Sequence, residues 1–368
     1  MARNDIQQRR KRYFKLSPAI ALMDNARLHS LFEAAESNSG WGRNHAIDIG
    51  QSKVFVKRVP VTDLEYENMF STKNLYDLPT YYNYGVGSAG FGVFRELVAH
   101  IKTTNWVLEG AIETFPLMYH YRIVPFSGER KDVDMERHQS YVEYWGSNEN
   151  IGKYMLDRAN ANHELVLFLE YIPHTLQPWL LENPGKLNRI LEDLRTTVDF
   201  LRTHGILHFD AHFYNIVTEG ERAYLTDFGL VLDKSFALTE EEASFFKKHV
   251  FYDYGEVLVC LSFFLGAAYE ACSEEDKRIL IEKYGIPEDR QHRELVPALL
   301  DNIEQIHADG ILKIPAIGTS SLIQYRNVIT LMNNFYSDMR RNNRKDTKLD
   351  HARLRRLLTE TGYLRQAG

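Results

Sequence analysis

Three side chains stand out for what they could do together. Asp210, Asn215 and Asp227 fall within His208 to Gly229, HFDAHFYNIVTEGERAYLTDFG. Carboxylate and amide oxygens are the hard ligands Mg²⁺ prefers, and a second carboxylate can hold an acceptor hydroxyl in line with a phosphoryl group. The stretch reads as a turn carrying Asp210, an irregular segment carrying Asn215, and a hairpin bent at Gly220 between Ile216-Val217 and Ala223-Tyr224-Leu225. Asp227 follows the second arm, so two carboxylates and one amide meet at a single cleft mouth. Phosphoryl transfer is the chemistry this set serves.

The elements that must position these residues lie on both sides of them. Ala46 to Ile49 and Val54 to Val59 pair as strands around Gly50-Gln51-Ser52, and FPLMYHYRIV and ELVLFLEYIP (164–173) are two more strands. Helices are predicted over about 17–36, opened by Ser17-Pro18, over TDLEYENMF, and over about 92–107. Residues about 125–162 form a polar insertion with one helix. Beyond about 174 the pattern turns helical. Leu187 to His204 is amphipathic and stops at Gly205, and YDYGEVLVCLSFFLGAAYEA is apolar all round and so belongs in a core. Later helices open at Glu274-Glu275-Asp276, after Arg290-Gln291, at Thr319-Ser320 and at the capping box Thr347-x-x-Asp350.

His208-x-Asp210-x-x-x-x-Asn215 followed by Asp227-Phe228-Gly229 resembles the catalytic loop and DFG segment of the protein-kinase-like superfamily. The resemblance covers about 40–270. It implies an α+β, bilobal protein-kinase-like fold: a helical extension (1–36), a small antiparallel β-rich N-lobe (37–172) and a larger helical C-lobe (173–368). It also implies ATP and Mg²⁺ as cofactors, with Asp210 as catalytic base and Asn215 and Asp227 as metal ligands. Lys57, in VFVKRV, takes the place of the lysine that pairs with the α/β-phosphates, and Glu96, in FRELVAH, that of its partner; Glu65 and Glu67 are rivals. Gly40-x-Gly42-x-x-His45 resembles the glycine-rich loop that lets backbone approach phosphate, and Glu170 to Ile172 the hinge whose backbone binds an adenine edge. A second glycine-rich stretch, Tyr84 to Gly92 (YGVGSAGFG), lacks the Gly-Lys-Ser/Thr ending of a P-loop and reads as the opening of the next helix.

Departures from the pattern bear on the acceptor. Phe209 replaces the arginine of H-R-D, which removes a cationic pocket for a phosphorylated loop. His212 makes H-x-D-x-H-x-x-N, similar to antibiotic and choline phosphotransferases, and is expected as a buried imidazole shaping the loop. No A-P-E anchor follows Gly229. An atypical protein Ser/Thr kinase is the first expectation, with Leu230 to His249 as a short flexible platform for its substrate. A small-molecule kinase is the alternative, and a non-catalytic kinase-shaped binding module the third.

Composition bounds these readings. The chain has 368 residues, 44% of them hydrophobic and 26% charged, as in a soluble protein of two lobes. A net charge of −6 argues against a nucleic-acid partner. Cys260 and Cys272 alone make no disulfide framework, which points to a reducing, cytoplasmic location. The N-terminus has no apolar run to act as a secretory signal; Arg9-Arg10-Lys11-Arg12 and the late cluster Arg340, Arg341, Arg344, Lys345 and Lys348 read as solvated helix ends. Val257 to Ala268 is too short to span a membrane.

Overall fold

The computed structural model describes residues 6–33, 43–127, 132–288 and 294–365, so Gly40, Gly42 and Arg290-Gln291 lie outside the described residues. The protein is α+β, with an antiparallel four-stranded sheet followed by a mostly helical remainder. Strands β1 (Arg43–Ile49), β2 (Ser52–Val61), β3 (Met118–Pro125) and β4 (His163–Glu170) run in the order β1-β2-β4-β3. The two-residue period of β2 sorts its side chains. Val54 and Val56 join the core that holds Leu16, Ile20 and Phe32, whereas Phe55, Val59 and Val61 pack with Phe94 and Leu97. Lys57 shares the second face, which aims it at the helix carrying Glu96, α4 (Val93–Glu109).

The first face is covered by α1 (Ile6–Ala21) and α2 (Asn25–Glu33), where the sequence predicts one helix over 17–36. Pro18 lies inside α1 instead of opening a helix. An interior proline costs about 3 kcal/mol, and docking of the buried stripe Arg9, Leu16 and Ile20 outweighs it. Arg9, expected in a solvated helix end, is fully buried: Nη2 donates to Glu170 Oε2 at 2.8 Å and to the Phe115 carbonyl at 2.5 Å, and Nη1 to the Glu113 carbonyl at 2.7 Å.

TDLEYENMF forms the short α3 (Asp63–Glu67) behind a Thr62–Glu65 capping box. The insertion holds two helices, not one: α5 (Met135–Tyr144) and α6 (Glu149–Ala159), capped by Asp134 and Asn148. Lys345 docks α5 from the far end of the chain and so leaves the expected solvated cluster. It is buried, donates to the Met339 carbonyl at 2.7 Å and lies 3.5 Å from the Tyr144 ring centroid.

The remainder begins with β5 (His174–Thr175), α7 (Leu176–Glu182) and α8 (Leu187–Thr203), the last with Leu187, Ile190, Leu191, Leu194, Val198 and Leu201 buried and Gly205 at φ 76° beyond its end. Short strands β6 (Ile206–Leu207), β7 (Ile216–Thr218), β8 (Ala223–Leu225) and β9 (Leu232–Asp233) pair as β5-β7-β8 and β6-β9. Then come α9 (Glu240–Lys248), α10 (Tyr252–Val259), α11 (Phe263–Glu270), α12 (Glu274–Tyr284), α13 (Leu295–Asp301), α14 (Ile303–Ala308), α15 (Ala316–Arg341) and α16 (His351–Glu360). A 3₁₀ turn at Cys260–Ser262 divides α10 from α11, where the sequence predicts one core helix. α15 starts at Ala316 behind Pro315, ahead of the predicted Thr319-Ser320 cap, and Asp350, not Thr347, caps α16. No single helix among the described residues is long and apolar enough to cross a membrane.

Candidate active site

The loop after β6 hangs by its main chain from α10. Asp253 accepts the amides of His208 (2.8 Å) and Phe209 (2.9 Å), and Glu256 accepts that of Ala211 (2.7 Å). Burial pushes Asp253 up to about 6 against the pull of its two amide donors, and lifts Glu256 well above its ordinary value. Phe209 is held at φ 64°, a strained region for a phenylalanine. Its ring offsets the strain by packing with Tyr84, Phe245, His249 and Tyr252. His208 Nδ1 accepts from the Asp210 amide at 3.2 Å and Nε2 donates to the Thr226 carbonyl at 3.1 Å. Burial lowers its pKa to about 4, so the ring is a neutral strut.

This scaffold presents Asp210, whose Oδ2 accepts from Asn215 Nδ2 at 2.7 Å; the same amide donates to the Asp210 carbonyl at 3.0 Å. Burial drives the Asp210 carboxyl up to about 6, while His212 and the Asn215 amide pull the other way. His212 Nε2 lies 3.5 Å from Asp210 Oδ1 and Nδ1 accepts from the Tyr214 amide. It shapes the loop as expected but is 38% exposed, not buried, because it stands on the cavity wall.

Asp227 arrives from the other direction, at the end of the β7–β8 hairpin and at φ 62°. Lys57 Nζ donates to Asp227 Oδ1 at 2.8 Å and to Glu96 Oε1 at 2.6 Å. Of the three candidate partners, Glu96 therefore holds Lys57. Glu65 is occupied in its capping box and accepts the Val93 amide at 3.0 Å, and Glu67 is exposed. Burial opposes charge on Asp227, but Lys57 outweighs it and the carboxyl falls to about 2. Burial likewise works against Lys57 and Glu96, yet the contacts with Asp227 and Glu96 raise the lysine pKa and Lys57 lowers that of Glu96.

Lys57, Glu96, Asp210, Asn215 and Asp227 line one cavity of about 520 Å³. Sequence reasoning missed much of its wall. Gly85, Gly87, Ser88, Ala89, Gly90 and Gly92 all line it, so the stretch read as a helix opening is also a cover. Gly85 lies against the loop that carries Asp210: a Cβ there would sit 2.2 Å from Asp210 Oδ1. At the other end the Phe91 amide donates to the Gly229 carbonyl at 3.0 Å. Tyr154 and Arg158 of α6 line the cavity too. The sequence held a signal for them, since Ile151, Tyr154 and Arg158 lie on one stripe and an arginine on a buried stripe is unusual.

Glu170 and Ile172 do not line the cavity, and the Glu170 side chain faces Arg9. Of the segment resembling a glycine-rich loop, His45 belongs to β1 and stacks on Phe32, away from Lys57; Gly40 and Gly42 lie outside the described residues.

Asp227 Oδ2 and Asn215 Oδ1 are hard oxygens without a protein partner among the described residues, and the Asp227 side chain is 40% exposed to the cavity. One carboxylate and one amide suit Mg²⁺, which keeps waters and takes substrate oxygens for the rest of its shell. Among the described residues no group of three or more His, Cys, Asp or Glu forms a self-sufficient metal cage. The arrangement can thus hold a cation against an anionic substrate and orient a hydroxyl beside Asp210. The chain matches no family model and no curated protein sequence.

Proposed function

We propose that the protein is an ATP- and Mg²⁺-dependent phosphotransferase that moves the γ-phosphate to an alcohol, and that its sheet and helical remainder are the two lobes of a protein-kinase-like fold. The observation that carries this is Lys57 bridging Glu96 and Asp227 in the cavity that also holds the Asp210–Asn215 pair. Mg²⁺, held by Asp227 and Asn215, would neutralise charge on the transferred group. Lys57 orients the nucleotide phosphates. Asp210 positions the acceptor hydroxyl and receives its proton, for which a carboxyl near 6 is better matched to neutral pH than an ordinary aspartate.

The acceptor is best read as a small hydroxyl compound. A protein substrate needs an open approach to Asp210, whereas Gly85 lies directly over that carboxylate. The segment expected as a flexible platform is packed: Leu230, Val231, Leu232 and Phe246 are buried, Asp233 pairs with Lys102 at 2.5 Å, and Glu242 with Arg95 at 2.7 Å. On these grounds we favour the small-molecule alternative over an atypical protein Ser/Thr kinase.

Titration with ATP and Mg²⁺, followed by incubation with labelled ATP and a metabolite extract, tests both levels. Saturable Mg²⁺-dependent binding and label on a soluble small molecule are expected. Absence of nucleotide binding by the folded protein would remove the whole reading, and label appearing only on proteins would restore a protein acceptor.

A further inference from the structure

One cation on the cavity wall has no part in the chemistry above. Arg158 is only 8% exposed, and its Nη1 donates to the Tyr154 hydroxyl at 3.0 Å. Its guanidinium also stands 5.3 Å from the Tyr154 ring centroid. No carboxylate among the described residues forms an ion pair with it. Glu65, the acid whose charge bears on it, is taken up by Thr62 and the Val93 amide. Nε and Nη2 therefore have no acceptor among the described residues, although Arg158 lines the same cavity as Lys57 and Asp210. A largely buried guanidinium whose remaining donors face the cavity without an anion is an arrangement a bound anion would complete.

The cover supplies matching donors. The main-chain N–H groups of Gly85, Gly90 and Gly92 donate to no acceptor among the described residues, and all three residues line the cavity. Neighbouring amides in the same segment are satisfied: Val86 by the Tyr84 carbonyl, Ala89 by the Tyr82 hydroxyl and Phe91 by the Gly229 carbonyl. The segment is fixed from outside, because Tyr141 donates to the Gly87 carbonyl at 2.9 Å and Tyr144 to the Val86 carbonyl at 2.6 Å. Glycines that bring unpaired amides to a cavity beside a planar, five-donor cation make a receptor for tetrahedral oxyanions.

We propose that Arg158 and the main-chain amides of Gly85, Gly90 and Gly92 form a phosphoryl-binding site inside the cavity, contributed by the insertion and by the cover. The site stands on its own geometry. It rests on the proposed phosphotransferase reading only for which phosphoryl group fills it: the terminal phosphate of the nucleotide, or one carried by the acceptor.

Titration of the full chain and of Arg158→Gln, with thermal melting as a control, decides the matter. The probes are a non-hydrolysable ATP analogue with Mg²⁺, ADP with Mg²⁺, and inorganic phosphate. If the site takes the nucleotide's terminal phosphate, Arg158→Gln loses about tenfold or more in affinity for the analogue and little for ADP, the scale of a charge-assisted hydrogen bond. If it takes a phosphoryl group of the acceptor, affinity for the analogue is kept, and phosphate binding to the analogue-saturated protein falls by a similar factor. Unchanged affinity for all three probes in a normally melting variant overturns the site. Arg158→Lys, which keeps the charge but not the planar fork, covers a failure of Arg158→Gln to fold: a weaker loss on the same probe is expected, and wild-type affinity there overturns the proposal equally. A wild-type chain that binds phosphate but no Mg²⁺–ATP analogue would sink the phosphotransferase reading and leave this site standing.

Discussion

Asp210 and Asp227 face one cavity and are held there by opposite means. The loop around Asp210 is pinned through its main chain by two carboxylates of α10, and the Asp210 side chain is left with a single amide donor and an imidazole 3.5 Å away. Asp227 is pinned through its side chain by a lysine that is itself shared with Glu96. Burial wins in the first case and takes the carboxyl up to about 6; in the second the lysine outweighs it and holds the carboxyl near 2. Anchoring the backbone leaves a carboxylate able to take a proton, and anchoring the charge keeps it an anion. Two identical side chains are thereby given opposite tendencies, and the proposed function uses one as a base and the other as a cation ligand.

The sharpest way to break this comparison is to neutralise each aspartate in turn. Asp210→Asn and Asp227→Asn should each lower turnover by about three powers of ten or more. Asp210→Asn is expected to keep Mg²⁺-dependent nucleotide affinity, and Asp227→Asn to lose it; equal nucleotide binding in the two variants would contradict the division. Gly85→Ala should have a smaller effect, about a hundredfold on kcat. The added methyl group displaces the Asp210 carboxylate without touching Asp227, so nucleotide binding is retained. Normal kcat in that variant would show that the position of Asp210 is not critical.

The gentlest test is pH. With Asp210 near 6 and Asp227 near 2, only the first titrates under ordinary assay conditions. Its carboxyl is raised, so the basic form is present above about 6 and is lost as pH falls through that value. kcat/KM should drop about tenfold per unit below it. An acid limb near the usual aspartate value would mean that the cavity does not desolvate Asp210.

Much of this was legible from local pattern. The hairpin of β1 and β2, the helix carrying Glu96, strand β4 and the Asp210–Asn215–Asp227 spacing all depend on neighbours close in the chain, where period and turn residues act. The cover was not legible as a cover. Glycines at 85–92 read equally well as the start of α4, and Gly92 is indeed its N-cap; only the docking of Tyr84 far along the chain places Gly85 over Asp210. Arg9 and Lys345 read as solvated for the same reason. A basic residue on a helix end is normally solvated, and the partners that bury these two, Glu170 and the Tyr144 ring, are remote in sequence. The insertion reads as one helix instead of two because no residue of α5 is fully buried, which leaves its apolar periodicity weak.

The seat of Tyr84 also bears on the order in which the molecule can be completed. Its ring rests against Phe209, Phe245, His249, Tyr252 and Phe335, and its hydroxyl meets His249 Nε2 at 2.7 Å. Phe335 belongs to α15, far downstream of Lys57 and Glu96. Contacts between such distant segments wait on loop closure that local strands and helices do not need. On the ribosome the sheet can therefore pair while the Tyr84 seat is still missing one of its sides, and the cavity gains its finished wall only after α15 has been made.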